Sequence, residues 1–596
     1  MLRVTPTAVP TVVQFSIRWY IHPMRATPIK SYTGPAPQVA PEANEHVSVP
    51  STAVNRRADL LNIGIVVAVF LAIVLLVPPI RNFPMDDDWA YAASVKDLLA
   101  GNFHISSWAQ AIALGHIGLA ALLSYFLGFS FTTLTISNLV VSLLGLIFFY
   151  LLLRQLAINP AYALFGVAVL GFNPMYAYLS YTFMTDVSFL AASVAALLCF
   201  MVAFKAPVVR ESWLWWGSVA IALAYLDRQF GALIPLAVLI YMWVVREWTW
   251  RRALAVMFIP VVSGASYAIW ELLQPTPVVA ALLDQMRAFA FQNPGQAMVL
   301  RVFDLVYTIA IPGLCLLPLL FVRGRARNFL FVFCLVAALQ IYVLRATGTV
   351  LPVMGNVVDH TGFFTTYQAL WPEWVWAVLA LAGTLTLCLV VGSLVRGIQW
   401  GTLKSVLRRD AVSDGKVARD PAQIAYILLV LLVPATALLP PFLFDRYFLP
   451  LFPLLMIAVL RYLQQHASPS PAWWRWALLV PIALFSMLGI RDLYEFYTLR
   501  WNRAEALVAS KGLERHNVDA GYEWVGWYLF DEGERVIRQT GDYTHLEMPA
   551  EAALDPVYRF NTVPIEGYEQ VDTLPYRYWL AGGQERHLLL LKRKGD

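Results

Sequence analysis

The stretch "LLNIGIVVAVFLAIVLLVPPI", Leu60–Ile80, followed at once by "RNFPMDDDWAYA", Arg81–Ala92, decides the fold. Its first part passes 21 residues without a charge. At about 1.5 Å rise per residue such a run crosses a hydrocarbon core of roughly 30 Å. Three adjacent carboxylates, Asp86, Asp87 and Asp88, stand where the chain leaves that apolar phase. The run reads as a membrane span, and the acids raise the question of what offsets their mutual repulsion.

The rest of the chain repeats the pattern. Of 596 residues, 59% are hydrophobic and 14% charged, against roughly a quarter charged in soluble domains, which excludes a water-soluble globular fold. The net charge of +5 comes from Lys and Arg clustered in loops, which orient a chain in the membrane. No basic face suited to a nucleic-acid backbone stands out, so nucleic-acid partners are not expected. Cys199, Cys315, Cys334 and Cys388 fall within apolar runs, with neither a disulfide framework nor zinc spacing. Residues 1–59 mix Pro, Thr, Val and Ala with Arg3, Arg18, Arg25 and Lys30, and hold no acid before Glu42. They read as a disordered cytosolic tail or an over-extended start rather than a cleaved signal peptide, because Arg18 interrupts the apolar part.

Thirteen apolar runs read as spans: 60–80, 131–153, 160–179, 187–204, 212–226, 230–245, 254–273, 302–322, 328–344, 372–395, 421–440, 447–463 and 473–490. The shorter run 111–128, "AIALGHIGLAALLSYFLG", is decided by the distribution of bases. Leaving it uncrossed gathers Arg56, Arg57, Arg154, Lys205, Arg210, Arg246, Arg251, Arg252, the bases of 323–327 and 396–419, Arg461 and Arg475 on one, cytoplasmic side. The run is therefore placed flat on the outer surface, inside a first external loop, 81–130. Trp213, Trp215, Trp216, Trp243, Trp248, Trp250, Trp473, Trp474 and Trp476 fall at cytoplasmic span ends, as an aromatic belt does.

The expected architecture is an all-α polytopic membrane protein of about thirteen transmembrane helices. A transmembrane domain, 60–490, follows the tail 1–59, and 491–596 forms a small extracytoplasmic α+β domain. Within it "RWNRAEALVASKGLERH" reads as helix, and "VDAGYEWVGWYLF" and "RHLLLLKRK" as strand-like.

This threading sets four polar groups at external span ends: Asp86–Asp88; Asp186; Asp227, Arg228 and Gln229; and Asp445, Arg446 and Tyr447. Acids retained beside hydrocarbon are functional candidates. Each group also has a plain structural reading: a solvated stop for the triplet, a helix N-cap for Asp186, a local ion pair for Asp227 and Arg228, and a snorkelling end residue for Arg446. His104 and His116 read as packing or interface residues, and His360 has no companion at metal-ligand spacing.

The motifs "DDDWAYAASVKDLLAG" (Asp86–Gly101), "MTDVSFLAASVAALL" (Met184–Leu198) and "DRYFLPLFP" (Asp445–Pro453), in this order, resemble the GT-C superfamily of membrane glycosyltransferases. Within it they resemble the bacterial branch of protein O-mannosyltransferases, lipid A aminoarabinose transferases and lipopolysaccharide galacturonosyl transferases. The likeness covers about residues 60–465.

The resemblance implies an enzyme of cell-envelope glycan synthesis in the inner (plasma) membrane, with its N-terminus cytoplasmic and its C-terminal domain extracytoplasmic. It would move a hexosyl or pentosyl group from a polyprenyl-phosphate donor to a hydroxyl of a lipid, polysaccharide or protein acceptor, with inversion, outside the cytoplasm. Asp87 is implied as general base, with Asp88 or Asp86 orienting it. The register of the acidic pair, Asp86–Asp87 or Asp87–Asp88, stays open; Asp87 as first acid aligns Tyr91 and Gly101 with the family, and Asp88 stands where many relatives have Glu. Asp186, Tyr91, Arg228, Arg446 and Tyr447 would hold sugar, acceptor or lipid phosphate. No cofactor is expected; hard-oxygen chemistry allows a divalent cation shared by Asp86–Asp88 and Asp186, but close relatives manage without one.

The rival readings are a lipid flippase or transporter and a non-catalytic assembly partner of the same fold. A transporter would show paired repeats and ionisable residues at mid-membrane depth, where this chain is almost uniformly apolar.

Overall fold

The computed structural model describes residues 56–109, 113–273, 313–319, 357–359, 362–363, 369–397, 420–438, 444–466, 470–541 and 548–595, with isolated positions between 288 and 341 and at 545. In hydrocarbon a backbone must satisfy its polar groups internally, so apolar runs become helices. The first half of the chain forms α1 (Arg56–Leu76), α2 (Asp88–Leu99), α3 (Leu114–Leu127), α4 (Phe131–Gln155), α5 (Pro160–Gly171), α6 (Pro174–Ser180), α7 (Thr185–Lys205), α8 (Glu211–Asp227), α9 (Leu233–Val244) and α10 (Trp250–Leu273). The second half adds α11 (Glu373–Gly397), α12 (Ala422–Leu438), α13 (Leu451–His466), α14 (Trp473–Lys511) and α15 (Tyr522–Thr540).

Six of these, α1, α4, α7, α10, α11 and α14, are long and apolar enough to cross a membrane. The chain is a multi-pass membrane protein with a mostly helical fold. The count of thirteen is not reached among the described residues. The expected spans 302–322 and 328–344 lie in large part outside them, and His360 and residues 1–55 lie wholly outside. Four further expected spans are helices of 12 to 17 residues, α8, α9, α12 and α13.

The run 160–179 is not one straight span. It breaks into α5 and α6, bent by 66°. Asn173 caps the second piece by accepting Met175 N–H, and Pro174, which has no N–H, takes its first position. The run 111–128 gives α3, which is 14 residues long, short of the roughly 20 that a crossing needs. It buries His116, Ile117 and Ala120 on one side and exposes Leu122, Tyr125 and Phe126.

Helix α7 is enclosed by α4 and α8. The apolar faces of α1 and α10 stay largely exposed, as lipid-facing helices do. Trp216, Trp243, Trp250 and Trp473 are exposed near the ends of their helices. The four cysteines are free thiols.

Residues 54–596 form one compact unit. Helix α14 runs unbroken through position 491 and ends only where Gly512 turns left-handed at φ 63°. Beyond it β3 (Val518–Asp519), β4 (Tyr558–Asn561), β5 (Tyr568–Tyr578) and β6 (Gln584–Arg593) make a sheet of order β3-β4-β6-β5. The β3–β4 pair is parallel and the other pairs are antiparallel. Separately, β1 (Val358–Asp359) and β2 (Gly362–Phe363) pair as two very short antiparallel strands.

The stretch "RHLLLLKRK" is strand, but "VDAGYEWVGWYLF" is strand only at Val518–Asp519 and helical from Tyr522. Its aromatic residues favour strands. The buried ones, Trp524, Val525, Leu529 and Phe530, nevertheless recur at helical spacing.

Helix α15 lies on the segment from α2 to the start of α4 through aromatic contacts. Phe530 packs on Trp89 (ring centroids 4.8 Å apart) and on Trp108 (5.8 Å), and Trp527 on Phe131 (5.1 Å). Gly526 makes the approach feasible, since a Cβ there would come within 2.5 Å of the Trp89 ring. Ser107 Oγ donates to Glu534 at 2.8 Å.

Candidate active site

The three adjacent acids do not share one environment. Asp86 turns the chain in the left-handed region, φ 55°, a conformation that Asp tolerates better than most residues. Helix α2 then begins at Asp88, whose side chain goes inward. Asp88 accepts Arg81 Nη2 at 2.5 Å, Phe183 N–H at 2.6 Å and Met85 N–H at 3.3 Å. Neither Asp88 nor Arg81 has any exposed side-chain surface. Arg81 spends its other donors on Thr135 and the Phe83 carbonyl. Burial pushes the Asp88 carboxyl up to about 6, with Arg81 opposing the rise. Through Phe183, Asp88 fixes α2 to the segment that leads into α7, and so to Asp186.

Asp86 and Asp87 face Arg446, at 3.1 Å from Nη1 and 3.4 Å from Nη2 respectively. Arg446 sits in a short 3₁₀ turn, Asp445–Phe448, before α13. Asp445 holds that turn, accepting Val357 N–H, Val358 N–H and the Arg446 N–H. The carboxyl of Asp86 is raised well above the usual range, first by burial and then by Asp87 and Asp88, against the pull of Arg446. Arg446 is held charged: burial works against it, and Asp86, Asp186 and Asp87 together outweigh burial.

Asp186, in the first turn of α7, accepts Arg228 Nη2 at 2.6 Å. Its position is second in the helix, after Thr185, and the N-cap is Met184, so Asp186 is not the cap. Arg228 follows α8 in extended backbone (φ −151°), which parts its side chain from that of Asp227. The local Asp227–Arg228 ion pair is thus replaced by Arg228–Asp186, and Asp227 turns to Ser188. Arg446 does not snorkel; its side chain is 7% exposed. Nor is the acid triplet a solvated stop, since Asp88 is fully buried.

The ring of Tyr447 lies between the two guanidinium groups, 5.5 Å from Arg228 and 5.9 Å from Arg446. Arg228 Nε and Arg446 Nε are both buried without a hydrogen-bond partner. Tyr91 donates to the Ala109 carbonyl at 3.2 Å, and burial raises its phenol to about 12, with Arg228 opposing. His116 packs on Phe183, centroids 4.1 Å apart, and meets the Phe183 carbonyl through Nε2. His104 is exposed and pairs with Asp97. Among the described residues no three His, Cys, Asp or Glu side chains are arranged to hold a metal ion; the acid triplet is divided between Arg81 and Arg446 instead.

Arg81, Trp108 and Tyr522 complete the cluster and were not singled out in the sequence. Trp108 Nε1 and Tyr522 Oη donate to the same oxygen of Asp87, at 2.9 Å and 2.5 Å. Arg81 had a local signal, a lone base between an apolar run and three acids. Tyr522 had none, because it stands 435 residues away in the chain.

No protein-family model and no curated protein matches this chain. Among solved structures it is similar to ArnT from Cupriavidus metallidurans bound to undecaprenyl phosphate, at 13% identity over 90% of this chain and 98% of that one, TM-score 0.38. It is also similar to the archaeal oligosaccharyltransferase AglB from Archaeoglobus fulgidus in complex with an inhibitory peptide and a dolichol-phosphate, at 15% identity over 84% and 69% of the two chains, TM-score 0.38. The apo form of the Archaeoglobus fulgidus oligosaccharyltransferase gives 14% identity over 85% and 69%, TM-score 0.41. Likenesses of this degree decide nothing about chemistry, which has to be read from the residues of the site.

Proposed function

We propose that the chain is an integral-membrane glycosyltransferase that moves a hexosyl or pentosyl group from a polyprenyl-phosphate donor to an acceptor hydroxyl on the extracytoplasmic side, with inversion. The observation that carries this reading is the pair Arg228 and Arg446. They flank one tyrosine ring, face Asp186 and Asp86–Asp87, and each retains a buried N–H without a partner. Buried polar groups are normally satisfied, so two such donors on adjacent cations suit an anionic ligand such as a phosphate.

In this mechanism the acceptor oxygen attacks the anomeric carbon as the bond from that carbon to the phosphate oxygen breaks. The bonding pair leaves with the phosphate, whose growing negative charge meets Arg228 and Arg446. The acceptor proton passes to Asp87. Phosphate departs as an anion and needs no general acid. Asp186 and Tyr91 border the space in which sugar and acceptor meet. Positive charge comes from the two arginines.

The test uses the purified full chain in detergent, a panel of polyprenyl-phosphate hexoses and pentoses, and membrane extract as acceptor. Release of polyprenyl phosphate coupled to transfer is the expected result, and Asp87→Asn should slow it by roughly 10² to 10⁴-fold while still binding polyprenyl phosphate. Full activity in that variant would remove Asp87 as base.

A further inference from the structure

We propose that Tyr522, supplied by the C-terminal segment, is a positioning residue for Asp87: with Trp108 it occupies Oδ1 and leaves Oδ2 as the oxygen that receives the acceptor proton. This rests on the reading of Asp87 as general base. A carboxylate oxygen has about two lone-pair sites. Oδ1 already accepts Trp108 Nε1 at 2.9 Å and Tyr522 Oη at 2.5 Å, and is full. Oδ2 has one long contact, 3.4 Å to Arg446 Nη2, and so keeps a site open. The groups facing Asp87 are Arg446 from the 3₁₀ turn, Asp86 from its own turn, Tyr91 from α2 and Tyr522 from α15. A phenol with an ordinary value near 10 remains a donor at neutral pH.

The phenol is held in place by the docking of its helix. The next residue, Glu523, is buried and accepts Arg500 at 2.7 Å and Tyr497 Oη at 2.7 Å, both from α14. One turn on, Gly526 lies against the Trp89 ring, and Phe530 covers Trp89 and Trp108. The same aromatic layer therefore fixes both donors to Oδ1. The C-terminal segment is thus a part of the catalytic centre, and it selects which oxygen of Asp87 is free.

Tyr522→Phe removes one hydrogen bond to the charged carboxylate and frees it to rotate. In the full chain, with polyprenyl-phosphate hexose as donor, kcat should fall about tenfold, and the acid limb of its pH profile should move to higher pH, while donor KM stays unchanged. Trp108→Phe should move the limb in the same direction. Undecaprenyl phosphate binding serves as the check that each variant is folded; if Tyr522→Phe fails it, the Trp108→Phe profile decides. An unmoved acid limb, or a loss confined to acceptor KM, overturns the positioning role. Full transfer by Asp87→Asn would instead overturn the base itself, whereas an inactive Asp87→Asn beside a wild-type Tyr522→Phe overturns only this inference.

Discussion

Replacing Asp88 with Asn separates the carboxylate that holds the fold from those that face the arginine pair. Asp88 accepts Arg81 at 2.5 Å and the Phe183 and Met85 N–H groups at 2.6 and 3.3 Å, with no side-chain surface exposed on either ion. Asn keeps one acceptor oxygen for Phe183. Its amide NH₂ then meets Arg81 donor to donor, and the guanidinium stays buried without an anion. Breaking a buried pair from one side costs about 3–5 kcal/mol, a large share of the roughly 5–15 kcal/mol that keeps a domain folded. The assay is thermal inactivation of the purified full chain at one fixed heating rate, since unfolding of large proteins is commonly irreversible. Asp88→Asn should lower the midpoint by several degrees, and Asp87→Asn should leave it near wild type. The double replacement Arg81→Met with Asp88→Leu removes both charges and should recover only part of the loss, because the buried Phe183 and Met85 N–H groups then lose their acceptor. A wild-type midpoint for Asp88→Asn together with absent transfer would refute this division and move Asp88 into the chemistry.

Two further outcomes follow from the arginine pair. Arg446→Ala and Arg228→Ala should each raise donor KM about tenfold or more, because a hydrogen bond to a charged group contributes about 1.5–3 kcal/mol, and should change acceptor KM little; an unchanged donor KM would exclude the phosphate role. Asp86→Asn should strengthen binding of undecaprenyl phosphate by severalfold, since the Asp86 carboxylate, 3.1 Å from Arg446, competes with phosphate for that cation; weaker binding in a direct titration would contradict it.

The apolar runs were legible because composition is a local property: α1, α4, α7, α10, α11 and α14 all lie on runs visible by eye. The polar groups at their ends were legible for the same reason. Where local and tertiary terms compete, the sequence misled. Asn173-Pro174 broke a run whose hydropathy alone reads straight. Tyr522–Phe530 is rich in strand-favouring aromatics, yet packing against Trp89 and Trp108 selects a helix there. Partner choice was hidden throughout. Arg228 has an acid beside it in sequence and pairs instead with Asp186, because the backbone after α8 turns extended. Tyr522 reaches Asp87 only because α14 carries the chain from the bundle into the C-terminal sheet without interruption.

Three like charges can stand together because the turn divides them. Asp88 is turned into the protein, where Arg81 cancels it and two backbone N–H groups fix it. Asp86, in left-handed backbone, and Asp87 are left on the other side of the turn, opposed by Arg446. With Asp186 and Arg228 added, three carboxylates face two guanidinium groups, so the cluster carries one negative charge in excess when all are ionised. On the proposed reading, a lipid phosphate arriving at Arg446 competes with Asp86 and Asp87 for that cation, so donor binding and the acids are coupled through charge shared across one turn.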